Sequence, residues 1–406
     1  MNQISGGVCA AQGYSAAGTH CGLKKEKPDL ALIYSTVPAQ AAATYTTNVV
    51  KAAPLHVTKR HLSDGGLQAV VVNSGNANAC APDGEENALA MCHYTAKALG
   101  IPTEQVAVSS TGVIGVSMTP KMGLVQMGIT TLAGQLADTE QAADSAARAI
   151  MTTDLTKKEV AVALTLGGKP VRIGGMAKGS GMIHPNMGTM LGFLTTDAAI
   201  SSPLLEKALQ QAVTRTFNRI SVDGDTSTND FCLIMANGLA ENPAITTENA
   251  DYEVFLDTLT ILCTHLARLI AADGEGATHL ITCTVQHAPD EDIATAVAKS
   301  VISSALVKSA IFGQDANWGR ILCAAGYSGA DFDPETVTIS FASEVGEIVV
   351  CKNGQGVDFD EDQAFQILAP FEVEIHIDMA QGTAASTCWG CDLTYEYVKI
   401  NGEYRT

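Results

Sequence analysis

Between residues 178 and 191 the chain gathers its densest set of chemistry-bearing residues. The stretch Lys178-Gly-Ser-Gly-Met-Ile-His-Pro-Asn-Met-Gly-Thr-Met-Leu191 holds a lysine, a histidine, a proline, a threonine and three glycines. Glycine-rich loops can turn their backbone N–H groups toward an anion. No Gly-Lys-Ser/Thr stands at the spacing of a phosphate loop, which excludes nucleotide triphosphate hydrolysis. What remains is a functional loop with unusual backbone demands. Residue types alone do not single out its nucleophile.

Other suggestive patterns dissolve on inspection. Cys388 and Cys391 have the spacing of a redox or metal pair, but no second pair accompanies them, and structural cysteines are expected. Asp223-Gly-Asp-Thr-Ser-Thr-Asn-Asp230 is acidic enough for calcium. However, Thr228 stands where a calcium loop needs glycine and Ile234 where it needs its closing glutamate, so a strand and turn near the site are expected instead. The nine histidines include no H-x-x-x-H pair, His184 reads as structural, and no metal is expected. Thr111-Gly112 reads as a turn at a strand end, and Glu275, in Asp273-Gly-Glu-Gly276, as part of a helix-exit loop. The last few residues read as a mobile tail.

The elements that must position such residues alternate between strand and helix. Leu67–Asn73 (LQAVVVN) and Val106–Ser110 are strand-like, while Glu85–Leu99 and Thr119–Leu132 are helical, stopped and entered by Gly100 and Pro120. Glu159–Ile173 reads as a hairpin closed by Gly167-Gly168. Ser202-Pro203 opens a helix whose apolar stripe runs Leu205, Leu209, Val213, Phe217. Longer helices are expected over Tyr252–Ala272 and Ile293–Ala310. Strands are expected at Thr336–Ala342, Glu347–Cys351, Glu372–Ile377 and Asp392–Ile400. Hairpins mixed with amphipathic helices, and no G-x-G-x-x-G after a strand, favour an α+β layered sandwich over a doubly wound nucleotide fold.

The bulk numbers exclude a disordered or fibrous chain. The chain has 406 residues, 46% apolar and 17% charged, enough for one large or two medium cores. A net charge of −19 repels phosphate backbones and argues against nucleic-acid binding. Eleven scattered cysteines in a chain of this size suggest reduced thiols in a cytosol. No secretory signal and no membrane-length apolar run is evident, so a cytoplasmic location is expected.

Taken together, several segments resemble the ornithine acetyltransferase (glutamate N-acetyltransferase) family. They are the 178–191 loop with Leu194-Thr-Thr-Asp-Ala198, then Asn73–Asn78, Ser110–Gly115, Asp223–Asp230, Phe312–Arg320 and Trp389–Thr394, in the family's order along essentially the whole chain. The resemblance implies a layered α/β sandwich of the ornithine acetyltransferase / DmpA-like type. It also implies a precursor that cuts itself between Gly188 and Thr189. Residues 1–188 and 189–406 would become an alpha and a beta chain that stay associated as a heterotetramer of two of each. Thr189 would then carry its own base, since a free α-amine titrates near neutral pH, at about 7.7–8. The family usually has alanine before the cut, where this chain has Gly188.

Further roles follow from the same resemblance. Thr111 and Gly112 would form the oxyanion hole. Thr153, Lys178, Thr189, Glu275, Asn401 and Thr406 would touch substrate, with the C-terminal tail folded over the pocket. The implied reaction moves an acetyl group from N-acetylornithine to glutamate through an acetyl-Thr189 intermediate, with no bound cofactor and acetyl-CoA as a further possible donor. Alternatives are an N-terminal-nucleophile aminopeptidase of similar fold and an uncleaved protein that binds acetylated amino acids.

Overall fold

A computed structural model of the chain describes residues 2–184 and 190–403. The first part contains β1 (Asn2–Ile4), β2 (Tyr14–Thr19), β3 (Leu30–Tyr45), α1 (Ala53–His61), β4 (Gly66–Asn76) and α2 (Gly84–Leu99). Next come β5 (Val106–Val113), α3 (Met122–Gln135), α4 (Glu140–Ala149), β6 (Lys158–Leu166), β7 (Lys169–Lys178) and β8 (Leu191–Thr196). Then follow α5 (Ser202–Arg215), β9 (Ile220–Ser221), β10 (Phe231–Ala236), α6 (Ala250–Ala272) and β11 (Leu280–Ala288). The C-terminal part runs α7 (Glu291–Ser303), α8 (Ala305–Phe312), α9 (Trp318–Gly326), β12 (Thr338–Ser343), β13 (Gly346–Lys352) and β14 (Gln355–Gly356). It closes with α10 (Glu361–Ile367), β15 (Glu372–Asp378), β16 (Ala384–Cys391) and α11 (Tyr395–Glu403).

Two mixed sheets organise these elements, as the α+β reading expects. The first has the order β1-β6-β7-β8-β10-β3-β4-β5, with β2 added to β3; the second runs β14-β13-β12-β15-β11-β16-β9. The first sheet is covered on both faces. In β10, Cys232 and Ile234 pack with α5 and α6 on one face, while Phe231, Leu233 and Met235 join α4 on the other. Strands buried on both faces must be apolar throughout rather than alternating, which accounts for the valine run of β4. In the second sheet Ile281, Cys283, Val285, Ile339 and Phe341 pack with α7, α8 and α9, while Gln286, Val349 and Lys352 remain exposed.

α6 has the length and hydropathy of a membrane span, yet Leu259, Leu262, Leu266 and Ile270 are wholly buried against the first sheet and α5. It is the central core helix.

Two expected elements differ. The helix read over Ile293–Ala310 is two, α7 and α8, bent by 58°. Ser304 takes an extended conformation and its side chain accepts the N–H of Val307, ending one helix and capping the next. The strand read over Asp392–Ile400 is mostly helix α11, and the real strand, β16, precedes it. α11 buries no side chain of its own, so no apolar stripe marks it as a helix.

Candidate active site

β4 and β5 run parallel and end in an irregular register at Gly75 and Asn76, opposite Thr111 and Gly112. Gly112 has φ 131°, and a Cβ there would lie 2.5 Å from the Gly75 carbonyl carbon. Only glycine fits. The turn is tied by neutral hydrogen bonds: Ser110 Oγ donates to Asn73 Oδ1 at 2.6 Å, and Asn73 Nδ2 donates to the Asn76 carbonyl at 2.9 Å. Asn229 Nδ2 reaches the carbonyls of Ala77 and Ser110 at 2.7 and 2.8 Å. Three of the segments noted in the sequence therefore meet around one strand end.

Facing them, at the last residue of β7, stands Lys178. Its Nζ donates to Thr152 Oγ1 at 2.8 Å and, at the long distance of 3.5 Å, to Thr111 Oγ1. The side chain is buried, and that burial lowers its pKa against the opposing pull of Asp154. Glu275 enters from the loop after α6. Its N–H donates to the Ser180 carbonyl at 3.0 Å, and its Oε2 accepts from Asn401 Nδ2 at 2.8 Å. Gly181 packs so closely that a Cβ there would fall 2.4 Å from the Glu275 carboxylate. Gly276, with φ 70°, touches α11, where a Cβ would meet the Tyr397 nitrogen at 2.6 Å.

These groups enclose one cavity of about 270 Å³. Thr111, Gly112, Thr153, Lys178, Glu275 and Asn401 all line it. So do Met190 and Leu191, the two residues that follow Thr189 in sequence. Lys178 pairs with Leu191 across the β7–β8 ladder, so the 178–191 segment connects adjacent antiparallel strands. Its described part is anchored throughout. Asp223 accepts the N–H groups of Met182 and Ile183 at 2.6 and 2.9 Å, although Met182 has φ 55°. His184 Nδ1 lies 3.0 Å from Ser221 Oγ, and burial lowers its pKa to about 4, so it is a neutral structural partner at neutral pH.

The chain matches the ArgJ family over residues 15–406. The arginine biosynthesis bifunctional protein ArgJ of Symbiobacterium thermophilum is 51% identical over 100% of both chains, and that of Caldanaerobacter subterraneus 49% over 100% of both. A crystal structure of the Bacillus halodurans protein of the same name is 46% identical with a TM-score of 0.50; the match covers 52% of this chain and 98% of that one. This chain belongs to the ArgJ family. ArgJ family members are acyltransferases of arginine biosynthesis.

Read as an ArgJ family site, the cavity brings together every described residue the sequence singled out for it. Gly188, Thr189 and Thr406 lie outside the described residues. The sequence reading missed Thr152, Gly181, Ser227, Asn229 and Asp230 as wall residues. Gly181 was legible only as one glycine among three. Ser227, Asn229 and Asp230 lay in the Asp223–Asp230 segment, which the sequence placed near the site without marking any one of them as a wall residue. Of the cysteine pair, Cys388 and Cys391 are both buried thiols, and burial raises the pKa of each. Among the described residues no group of three or more His, Cys, Asp or Glu side chains is placed to hold a metal.

Proposed function

We propose that the chain transfers an acetyl group from N-acetylornithine to glutamate through Thr189, after cutting itself between Gly188 and Thr189. The observation that carries this reading is the convergence of a strand-end turn, a buried lysine and a carboxylate on one small cavity beside Met190. Thr189 Oγ attacks the acetyl carbonyl while its own α-amine takes the proton. The oxyanion forms against Thr111 and Gly112. Because Thr111 Oγ1 accepts from Lys178, its hydroxyl hydrogen is free to donate into the cavity. The α-ammonium of Thr189 returns its proton to the departing amine, so ornithine leaves neutral at that nitrogen. The glutamate amine then attacks the ester carbonyl, and its proton passes through the α-amine back to Thr189 Oγ as N-acetylglutamate leaves.

Lys178 is suited to a substrate carboxylate and Glu275 to a substrate ammonium. A buried lysine whose charge is disfavoured regains it beside a carboxylate, so substrate binding and lysine protonation reinforce each other. The acetyl donor brings its own acyl group, so no bound cofactor is required. The two-chain reading has separate support: 98% of the solved Bacillus halodurans chain is matched by only 52% of this one, as expected when a precursor yields two chains.

The test is a denaturing gel with intact mass on the wild type and on Thr189→Ala. The wild type should yield two fragments, the second beginning with threonine, and Thr189→Ala one intact chain. A rapid-quench mixture of wild type with N-acetylornithine should release ornithine in a burst equal to the enzyme present. A single wild-type chain with neither burst nor transfer refutes the reading.

A further inference from the structure

Behind the pocket wall, where no substrate reaches, Lys158 is wholly buried at the first residue of β6. Its ammonium lies 2.7 Å from Asp154 Oδ1 and 2.6 Å from Asp273 Oδ2, and both of these carboxylates are buried too. Burying three charged groups is costly unless each is paired and hydrogen-bonded. Here each is. Each carboxylate also holds a wall segment. Asp154 accepts the N–H of Gly179 at 2.7 Å, directly after Lys178, and that of Thr152 at 2.9 Å, directly before Thr153. Asp273 accepts the N–H groups of Leu155 and Thr156 at 3.1 and 3.3 Å, and its carbonyl accepts Ser180 Oγ at 2.7 Å. Two residues on stands Glu275.

Three wall groups distant in sequence, Thr152-Thr153, Lys178 and Glu275, therefore hang on one buried ammonium. A core built for stability alone would be served as well by apolar side chains of the same volume. The carboxylates spend their remaining acceptor capacity on segments adjoining pocket residues, which an apolar core could not do.

We propose that Lys158, acting through Asp154 and Asp273, is a positioning residue that sets the spacing between the Lys178 ammonium and the Glu275 carboxylate, and so selects substrates bearing both an amine and a carboxylate. The proposal rests on the reading of Lys178 and Glu275 as substrate contacts. It assigns to residues outside the cavity a share of its specificity. Charge supports the geometry. Lys178 is faced by Asp154, Glu275 and Asp230, which favour its charged form, and by Lys158, which opposes it; Lys24 is also near enough to feel its charge.

The experiment compares Lys158→Gln, Asp154→Asn and Lys178→Met, all as purified enzyme whose self-cleavage is checked on a gel. For Lys158→Gln and Asp154→Asn we expect KM to rise about 10- to 100-fold with a smaller fall in kcat, the scale of a displaced binding group. The alkaline limb of kcat/KM should move up in Lys158→Gln, which removes a like charge facing Lys178, and down in Asp154→Asn, which removes an opposite one. Opposite movement is not expected of two changes that merely loosen the core. Should Lys158→Gln fail to fold, Asp273→Asn keeps the Lys158–Asp154 pair and must still raise KM. Unchanged KM in these variants, or limbs that move together, overturns the proposal. Unchanged KM in Lys178→Met would refute the underlying substrate reading and the proposal with it, whereas a raised KM there beside an unchanged one in Lys158→Gln overturns the proposal alone.

Discussion

The two rims of the cavity are held by different physics. On one side Thr111 and Gly112 sit on a turn held mainly by close backbone approach and by amide and hydroxyl hydrogen bonds, with Lys178 Nζ reaching Thr111 Oγ1 at the long distance of 3.5 Å. On the other, Lys178 and Glu275 are fixed by buried charges and by a C-terminal helix. A glycine-shaped rim held mostly by neutral groups is expected to keep most of its geometry across pH. A charged rim is tunable and exposed to titration. Under the proposed function, transition-state contact and substrate selection would rest on largely separate supports, so that one could change while the other stays put.

Four experiments test this division. Gly112→Ala should be the most damaging, since the new Cβ cannot fit; kcat should fall by about 10²–10³, as for loss of an oxyanion donor, with KM nearly unchanged. Steady-state kinetics on folded protein decide it, and a KM-dominated effect would erase the distinction between rims. Gly181→Ala would first meet the carboxylate end of Glu275, so KM should rise about tenfold, with a smaller loss of stability than in Gly112→Ala, where the clash is with backbone. Next is pH. Burial lowers the pKa of Lys178, so kcat/KM should decline with rising pH before the ordinary lysine range, near 10.4, is reached. Its acid limb should follow the Thr189 amine, rising as that amine loses its proton. Ser110→Ala, which removes one neutral hydrogen bond, should cost only about 1 kcal/mol in denaturant unfolding.

Stability against acid separates the rims again. Asp154 has its carboxyl pKa held below the usual range by Lys178 and Lys158, against the opposing effect of burial. The folded pKa is depressed, so its contribution is present above the ordinary carboxylate value of about 3.9 and is lost as pH falls below it.

Much of the frame was legible in the sequence because it obeys local rules. The Gly167-Gly168 hairpin, the helix stopped by Gly100 and the valine strand each announce themselves by turn chemistry or apolar runs. The failures have physical causes. α11 is held by Thr394 on the Gly276 carbonyl and by Asn401 on Glu275, contacts that leave no hydrophobic period. Lys158, in KEVAVAL, looks like an ordinary charged residue at a strand start. Its burial depends on Asp273, 115 residues away. The described residues among those implied by resemblance line one cavity, yet a resemblance names the groups at a cavity without saying what holds them apart.

The strand order of the first sheet has a consequence for the life history of the molecule. β8 and β10, from beyond the expected cut, lie between β7 and β3, so they separate β1-β6-β7 from β2-β3-β4-β5. The N-terminal product would hold two half-sheets with a gap where another polypeptide belongs. Covalent continuity would serve for assembly and then be discarded. If the chain is cut as proposed, reassembly would become a meeting of two strangers, dependent on concentration, whereas an uncut chain finds its partner strands within itself. An enzyme of this design would be made once and, if lost, not remade.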